Sequence, residues 1–252
     1  PRRDVLRRNT VYPLDDIVAR APYREDGEDF SLARFMCGTE GTLGFVTEAK
    51  LNLVDKPKRN ILVCAHFGTL EEALRATVEA VDMQPAAVEL MDKRVLDLTK
   101  QNLEQARNRF WIEGDPAGVL VVEFYANTQL DLDEKAEALI KRFREKGLGY
   151  AYPIVHPPQD KAVWDVRKAG LGLLMGVEGE IKPVTVVEDT AVPVDVLPEY
   201  IHEFSQIMDA YGTACVYYAH ASVGFLHLRP ELNLKDSADV ERFKGIARDV
   251  AN

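Results

Sequence analysis

The stretch NILVCAHFGTLEEALRATVEAVDMQPAAVELMD, residues 60–92, contains the signals for a strand, a helix and a second strand in direct succession. Its opening residues form a short apolar run of the kind that builds a buried strand. Thr69 and Glu72 have the spacing of a capping box, which predicts that a helix begins there and runs over 69–83. Residues 86–92 are again strand-like. The stretch therefore predicts a β–α–β unit.

The residues that follow extend this unit. AGVLVVEFYA, residues 117–126, is a long β-type run, and the charged amphipathic stretch 132–147 is typical of a surface helix. A helical pattern also covers 93–102, and a further strand is predicted at 150–155. The order strand, helix, strand, strand, helix, strand favours a ferredoxin-like α+β sandwich.

The second half of the chain repeats this theme less clearly. Helices are predicted at 160–176, 195–212 and 236–252, and strands at 182–193, 213–222 and 225–232. The chain begins with Pro1, and no stop signal follows the last helix, so we expect the sequence to be part of a longer protein.

The first part of the chain has a different character. Residues 1–30 are rich in charge and show no core-facing pattern. A short apolar helix-like run, a glycine-rich turn over 38–44 and a strand-like alternation through Val46 and Leu51 follow. DKPKR, residues 55–59, reads as a linker to the regular part of the chain.

Composition narrows the functional class. The chain has 252 residues and a formal net charge of -10, which argues against nucleic-acid binding because that needs a basic surface. No run of apolar residues is long enough to span a membrane. Cys37, Cys64 and Cys215 lie far apart within apolar runs, which predicts buried free thiols in a reducing compartment and a cytoplasmic protein.

The glycine-rich stretch CGTEGTLGF, residues 37–45, is the first candidate for chemistry. Glycines interleaved with threonines allow the backbone to approach a phosphate or a ring closely and to donate N–H groups to it. The stretch lacks the spacing of a Rossmann or Walker motif, so a tight turn between core elements is the alternative interpretation.

Two further stretches place charged side chains in apolar surroundings. Arg167 in WDVRKAGLG is either a surface residue or an inward arginine that pairs with a substrate carboxylate. Glu188 and Asp189 in KPVTVVEDTAVP are either an exposed pair at a bulge or carboxylates that face a pocket, with Lys182 near enough in sequence to balance them.

The stretch YYAHASVGFLHLRPEL, residues 217–232, places His220 and His227 seven residues apart. On an unbroken strand this odd separation directs the two rings to opposite faces of the sheet. They converge only if the chain turns between them, and Gly224 is the residue that permits a turn. The pair is therefore either a converging metal or catalytic pair or two structural histidines, and no third metal ligand stands at a familiar spacing.

Taken together, GTEGTLGFVTEAKLNL, WDVRKAG, VEDTAVPVDVLPEYI and HASVGFLHLRP resemble the FAD-linked oxidases of the vanillyl-alcohol-oxidase flavin fold over residues 30–252. The resemblance is to the group of D-lactate dehydrogenase, the glycolate oxidase subunit and D-2-hydroxyglutarate dehydrogenase, and is nearest to bacterial members fused to an iron–sulfur module. It implies a remnant of the FAD-binding α+β domain in residues 1–55. Residues 56–252 would then be the substrate domain, with duplicated ferredoxin-like antiparallel sheets covered by helices and a truncated C-terminus.

The resemblance also implies roles for particular residues. Six residues of the glycine-rich stretch would contact the FAD: Gly38, Thr39, Gly41, Thr42, Gly44 and Val46. The substrate carboxylate would be bound by Arg167, with Lys182 as a second binding residue, and Arg229 would hold the second carboxylate of a dicarboxylic substrate. A divalent metal, Zn or Mn, would be bound by His220 and His227, with its third ligand outside the chain. The motif departs from the family pattern at Val223 and Phe225, where the family has an acidic residue and an amide.

The activity implied is hydride transfer from a D-2-hydroxy acid (D-lactate, glycolate or D-2-hydroxyglutarate) to FAD, catalysed by His220, His227 and Arg167. Electrons would pass to a quinone or an iron–sulfur acceptor, in a homo-oligomer associated with the inner face of the membrane. Residues 1–252 alone would be inactive. The alternatives are a non-catalytic ligand-binding or subunit-contact module with structural histidines, and a flavin oxidase acting on a phenol or a sugar.

Overall fold

The computed structural model describes Val5 and residues 12–252. The chain divides into two compact units, which meet in sequence between Lys56 and Pro57. No helix in this described part combines the length and the apolar character needed to cross a lipid bilayer.

The described residues of the smaller unit, 12–56, contain two short helices, α1 (Leu14–Val18) and α2 (Leu32–Met36). The strand predicted through Val46 and Leu51 is wrong, because residues 44–56 contain no regular structure. Strand-like alternation forms a strand only where a neighbouring strand takes up its backbone hydrogen bonds, and the side chain of Leu51 is 77% exposed. The buried-thiol prediction holds for Cys64 but is wrong for Cys37, which is exposed in this unit, and Cys215 is half-buried.

The first half of the larger unit has the predicted order of elements. It contains β1 (Arg59–Phe67), α3 (Leu70–Val81), β2 (Ala87–Asp92), α4 (Lys93–Gln101), α5 (Leu103–Arg107), β3 (Gly118–Ala126), α6 (Gln129–Glu145) and β4 (Ile154–Val155). The N-cap half of the predicted capping box is present, since Thr69 Oγ1 accepts the backbone N–H of Glu72 at 3.2 Å, whereas Glu72 Oε2 accepts the N–H of Gly68 instead of that of Thr69. The strands lie in the order β4-β1-β3-β2 and all pair antiparallel, as in a ferredoxin-like sandwich.

The second half repeats this arrangement. It contains α7 (Asp160–Met175), β5 (Lys182–Pro183), β6 (Val187–Ala191), α8 (Leu197–Tyr211), β7 (Cys215–His220), β8 (Phe225–Leu232) and α9 (Ser237–Ala251). The single strand predicted over 182–193 is divided into β5 and β6, both of which pair with β8. Strand β8 lies between β6 and β7 just as β3 lies between β1 and β2, so the duplicated ferredoxin-like fold is confirmed. The two halves share one eight-stranded sheet because β2 and β7 pair with each other.

The two faces of this sheet are covered differently. One face carries the larger core, in which buried residues of α3, α6, α8 and α9 pack on the strands; examples are Leu74, Phe143, Phe204 and Ile246. The other face carries a smaller core with Val95 of α4 and Val166 of α7. Cover on this second face is incomplete near the β7–β8 turn, where the side chain of His220 is 37% exposed.

Asp92 forms a hydrogen bond that links the two halves of the larger unit. It lies at the end of β2, where its Oδ1 accepts the N–H of Val95 at the start of α4 and its Oδ2 accepts the N–H of Tyr217 on β7, at 3.0 and 2.7 Å. Burial raises the pKa of this carboxyl to about 7, although the backbone N–H donors oppose the shift. One side chain therefore serves both as a helix cap and as a bond between the halves.

We expect Asp92→Ala to destabilise the protein by about 2–4 kcal/mol, because it removes the cap and leaves the N–H of Tyr217 without its partner. The raised pKa means that the folded state holds the proton more tightly than the unfolded chain. The contribution of Asp92 is therefore full below about pH 4 and declines as the pH rises towards about 7. Urea unfolding at pH 5.5 and pH 8 measures this effect, with the exposed Asp82→Ala as control. A loss no larger than that of the control would contradict this role.

Candidate active site

The turn between β7 and β8 determines where the two histidines lie. A single helical turn over residues 221–223 ends at Gly224, which has a φ of 64°. A Cβ atom at this glycine would lie 1.9 Å from the carbonyl oxygen of Val192, so no other residue fits here. The turn places His220 and His227 on neighbouring antiparallel strands and on the same face, with ring centroids 5.5 Å apart. This geometry is what a converging pair requires.

Two more rings complete the histidine cluster. Tyr218 lies directly opposite His227 in the β7–β8 register and stacks on it at 4.7 Å. Phe225 lies opposite His220 and contacts both histidines, with centroids 5.9 and 5.4 Å away. The sequence resemblance implies an amide at the position of Phe225; the apolar ring found here closes one side of the cluster.

His220 is bound by a carboxylate from the other half of the fold. Glu89 on β2 is its direct neighbour across the β2–β7 pairing, and Glu89 Oε1 lies 2.8 Å from His220 Nδ1. The second oxygen of Glu89 accepts a hydrogen bond from Arg167 Nε at 3.0 Å. The side chain of Arg167 is 12% exposed and points from α7 towards the sheet, so the surface interpretation of this arginine does not hold.

His227 is bound in the same manner. Its Nδ1 lies 2.7 Å from Glu188 Oε1, and the same oxygen accepts a hydrogen bond from Arg229 Nη2 at 2.9 Å. Burial opposes ionisation of Glu188, but the hydrogen bonds from His227 and Arg229 outweigh it and lower the pKa of this carboxyl. The site thus contains two arginine–glutamate–histidine groups, one on each histidine.

Glu188 reaches His227 because the backbone of β6 is irregular. The register between β6 and β8 shifts between Val187 and Thr190, and Asp189 within this bulge has a φ of 59°. A non-glycine residue with positive φ carries a local strain that is frequent at functional sites. The bulge brings both carboxylates to the same ring, with Asp189 Oδ1 3.4 Å from His227 Nδ1.

Lys182 does not balance these carboxylates; its ammonium group donates to the carbonyl of Val177. The reason is the register, since Lys182 pairs with Leu232, five residues along β8 from His227. At about 3.3 Å per strand residue this is roughly 16 Å from the cluster. Arg229 is the cation that pairs with Glu188.

The ring of Tyr218 contacts both arginines. The guanidinium carbons of Arg167 and Arg229 are 5.3 and 5.5 Å from the centre of its ring. Burial raises the pKa of Tyr218, so its phenol is neutral and its ring can serve as a cation–π platform for both charges. Neither Tyr218 nor Glu89 was singled out in the sequence. The available signal for Glu89 was a charge in the middle of the apolar strand Ala87–Asp92.

Several polar atoms in this site are buried and lack a hydrogen-bond partner. The described part of the chain has five such side-chain atoms, and three belong to this site: Arg167 Nη2, Arg229 Nε and Glu188 Oε2. Arg167 Nη2 is 2.8 Å from Glu89 Oε2, but its N–H groups are not aligned with that oxygen. Buried polar atoms without partners are costly, so these three atoms are the positions where a ligand or a water molecule would complete the hydrogen bonding.

The residues of this site that could bind a metal ion are grouped around His227. Among the described residues, the group whose ligand atoms lie close enough to hold an ion is Glu188, Asp189 and His227, and His220 is not part of it. His220 offers Nε2 instead, because its Nδ1 faces Glu89. The predicted ligand pair of His220 and His227 therefore depends on the ring atoms that face away from the two glutamates.

In the smaller unit, the glycine-rich stretch forms a turn rather than a strand or helix. Gly38 and Gly41 have φ values of 81° and 76°, and a Cβ at Gly41 would meet no atom within 4 Å. The hydroxyls of Thr39 and Thr42 donate to the carbonyls of Met36 and Thr39 at 2.9 and 2.6 Å. The threonines thus hold the turn, while the glycines leave its backbone open to close approach.

Comparison with known proteins identifies relatives of this chain. The chain is 34% identical over 253 residues to a D-2-hydroxyglutarate dehydrogenase of Haemophilus influenzae, a match that covers 96% of this chain and 24% of the relative. It is 27% identical over 233 residues to a D-lactate dehydrogenase of Archaeoglobus fulgidus, covering 88% of this chain and 48% of the relative. The chain thus spans between a quarter and a half of the length of these relatives.

The fold is shared with a solved structure. The structure of p-cresol methylhydroxylase with substrate bound superposes with a TM-score of 0.58 at 12% identity, over 95% of this chain and 52% of that one. Residues 56–252 match the family model described as FAD linked oxidases, C-terminal domain. The chain belongs to the FAD-linked oxidases and carries their C-terminal domain.

Proposed function

We propose that this chain supplies the substrate domain of an FAD-dependent dehydrogenase that oxidises a D-2-hydroxy acid, and that the best substrate is a dicarboxylic acid such as D-2-hydroxyglutarate. The observation that carries the proposal is the pair of largely buried guanidinium groups whose central carbons lie 5.3 and 5.5 Å from the centre of the Tyr218 ring, each with an N–H group that has no aligned acceptor. Two such cations match a substrate with two carboxylates. The relative from Haemophilus influenzae, a D-2-hydroxyglutarate dehydrogenase, supports the same choice.

In this proposal the two arginines have separate tasks. Arg167 binds the carboxylate next to the hydroxyl carbon, because its partner Glu89 also binds His220 and so sets the distance between them. Arg229 binds the distal carboxylate through its unpartnered Nε, while Glu188 keeps the guanidinium group in place. A bidentate guanidinium orients a carboxylate more strictly than a lysine would. Because Lys182 lies apart from the cluster, we propose no substrate contact for it.

The histidine pair acts on the substrate hydroxyl. His220 and His227 lie side by side with their Nδ1 atoms bound to glutamates, so each ring can direct Nε2 at the hydroxyl and accept its proton. Bound FAD supplies the hydride acceptor. The apolar ring of Phe225 beside both histidines limits water at this point.

The same residues fit a divalent metal such as Zn or Mn. Ring centroids 5.5 Å apart allow two imidazoles to share one ion, and metal-ligating histidines generally donate their other ring nitrogen to a carboxylate, as both do here. We propose that His220 and His227 would hold such an ion, with a further ligand from outside this chain. With the ion held at both Nε2 atoms, its positive charge would act on the substrate hydroxyl in place of proton acceptance by the histidines.

For the cofactor, we propose that the glycine-rich turn contacts the FAD. Positive φ at Gly38 and Gly41, and the open space beside Gly41, allow the close backbone approach that a phosphate or a ring needs. The contacting residues would be those named from the family resemblance: Gly38, Thr39, Gly41, Thr42, Gly44 and Val46.

The electron acceptor is proposed from relative lengths. The same chain covers 24% of the D-2-hydroxyglutarate dehydrogenase but 48% of the D-lactate dehydrogenase, so the former is about twice as long. The extra length is consistent with a fused iron–sulfur module that would take electrons from the flavin and pass them to a quinone. We place the complete enzyme in the cytoplasm, at the inner face of the membrane.

The test is a substrate screen of the complete protein with a dye acceptor. We expect turnover with D-2-hydroxyglutarate in preference to D-lactate and glycolate. In Arg229→Gln, kcat/KM for D-2-hydroxyglutarate should fall by about 10- to 100-fold, because a charge-assisted hydrogen bond is lost, while D-lactate is affected much less. The exposed Arg94→Gln, which breaks only an ion pair with Glu231, is the control.

Two results would overturn the proposal. If no 2-hydroxy acid reduces the flavin, the domain is a ligand-binding or subunit-contact module. If Arg229→Gln lowers turnover of D-lactate and D-2-hydroxyglutarate equally, Arg229 does not bind the distal carboxylate.

A further inference from the structure

We infer that Glu89 is a positioning residue that holds His220 in one tautomer, with the proton on Nδ1 and the lone pair on Nε2. The catalytic consequence of this inference rests on the proposed function. The tautomer itself is a property of the substrate-free protein and can be measured without turnover.

The tautomer follows from the donors around Glu89. Its Oε2 lies 3.0 Å from Arg167 Nε, and an arginine is always a donor, so this oxygen must accept. A carboxylate bound to a guanidinium group is ionised and carries no proton. Its Oε1, 2.8 Å from His220 Nδ1, must therefore accept as well, which makes Nδ1 the protonated nitrogen.

The consequence for His220 is a defined free atom. A neutral imidazole with a proton on Nδ1 has its lone pair on Nε2. Among the described residues no hydrogen-bond partner stands at this Nε2, and the side chain is 37% exposed. Glu89 thereby turns the accepting nitrogen away from the sheet strand β2 and towards the uncovered part of the face.

Glu188 holds His227 by a different pattern of acceptors. Both His227 Nδ1 and Arg229 Nη2 bind the same oxygen, Oε1, while Oε2 is buried without a partner. Glu89 uses one oxygen for each donor. The two glutamates therefore respond differently when one carboxylate oxygen is replaced by an amide nitrogen.

Glutamine substitution exposes this difference. In Glu89→Gln the single oxygen stays with Arg167, which can only donate, so the amide N–H group faces His220 Nδ1. The ring then has to move its proton to Nε2, and the accepting atom is lost. In Glu188→Gln the remaining oxygen can still accept from both His227 and Arg229, so the tautomer of His227 is retained.

The experiment measures ring-nitrogen chemical shifts of isotope-labelled histidine in the complete, substrate-free protein after a chelator has removed any divalent ion, because an ion bound at Nε2 would itself hold the proton on Nδ1. Signals are assigned by subtracting the spectra of His220→Gln and His227→Gln. We expect Nδ1–H on both rings in the wild type, a switch of His220 to Nε2–H in Glu89→Gln, and no switch of His227 in Glu188→Gln. Glu89→Asp, which keeps both oxygens, should return His220 to Nδ1–H and so excludes general misfolding.

Steady-state kinetics gives the functional reading. The kcat of Glu89→Gln should fall by about 10²- to 10⁴-fold with a smaller change in KM, since an incorrect tautomer removes proton acceptance rather than binding. Glu89→Asp should recover at least about 10-fold of this loss, and Glu79→Gln, the same exchange in a surface ion pair with Arg142, is the control.

The outcomes separate this inference from the proposed function. Nε2–H on His220 in the wild type, or an unchanged tautomer in Glu89→Gln, would overturn the role of Glu89 whatever the substrate. If the His220 proton moves to Nε2 in Glu89→Gln but no 2-hydroxy acid is turned over, the result would support the positioning role of Glu89 and contradict the proposed function.

Discussion

Replacing His220 or His227 with alanine should lower the kcat of the complete enzyme by about 10²- to 10⁴-fold, the range expected when a positioned proton acceptor is lost. The two rings lie 5.5 Å apart on one face, each fixed by a glutamate, so each is placed to act on the same substrate hydroxyl. The pair acts on charge that develops at the substrate oxygen, and KM should therefore change less than kcat.

The control for this prediction is His202→Ala. His202 is an exposed residue of α8 whose side chain contacts Gln206, and its removal should leave kcat within about two-fold of the wild type. Thermal unfolding of each variant separates loss of catalysis from loss of structure. Should either alanine variant keep most of its kcat, that histidine is structural and the pair is not a catalytic site.

The second large effect is expected from Arg167→Lys, which should lower kcat/KM by about 10²-fold. Lysine keeps the positive charge but offers a point charge in place of a planar fork. It cannot bind Glu89 through one edge and present a second, aligned edge to a substrate carboxylate. The loss should appear in both kcat and KM, because the misplaced substrate no longer lies correctly relative to His220.

Arg142→Lys is the matched exchange for this test. Arg142 forms a surface ion pair with Glu79 and Asp82, so the same chemical change should alter kcat/KM by less than about two-fold. An Arg167→Lys enzyme with unchanged kcat/KM would exclude Arg167 from substrate binding. Its buried pairing with Glu89 would then serve stability alone.

Much of the fold could be predicted because its signals are local. The apolar runs of β1 and β3, the capping box at Thr69 and the amphipathic pattern of α6 each depend on residues close in sequence. The strand expected through Val46 and Leu51 is absent because alternation alone does not form a strand. A strand also needs a neighbouring strand that takes up its backbone hydrogen bonds, and none pairs with this segment in the described part of the chain. Glu72 has a partner that the local pattern does not predict, since its Oε1 accepts the N–H of Gly149, 77 residues away in the sequence.

The candidate site shows the same division. Arg167, Arg229 and the two histidines were chosen from motifs, and the structure brings these four residues to one face of the sheet. Lys182 was chosen because it is near Glu188 in sequence. The split of the predicted strand into β5 and β6 carries it to the other end of β8.

The sequence by itself determined the repeated order of strands and helices and the position where a turn between the histidines is permitted, because Gly224 can adopt a positive φ without strain. Only the tertiary structure decided which acids bind the histidines. Glu89 and His220 are 131 residues apart, and they meet because the edge strands of two ferredoxin-like halves pair in one register. That register follows from packing and from backbone hydrogen bonds between distant segments, which no periodicity within either strand specifies.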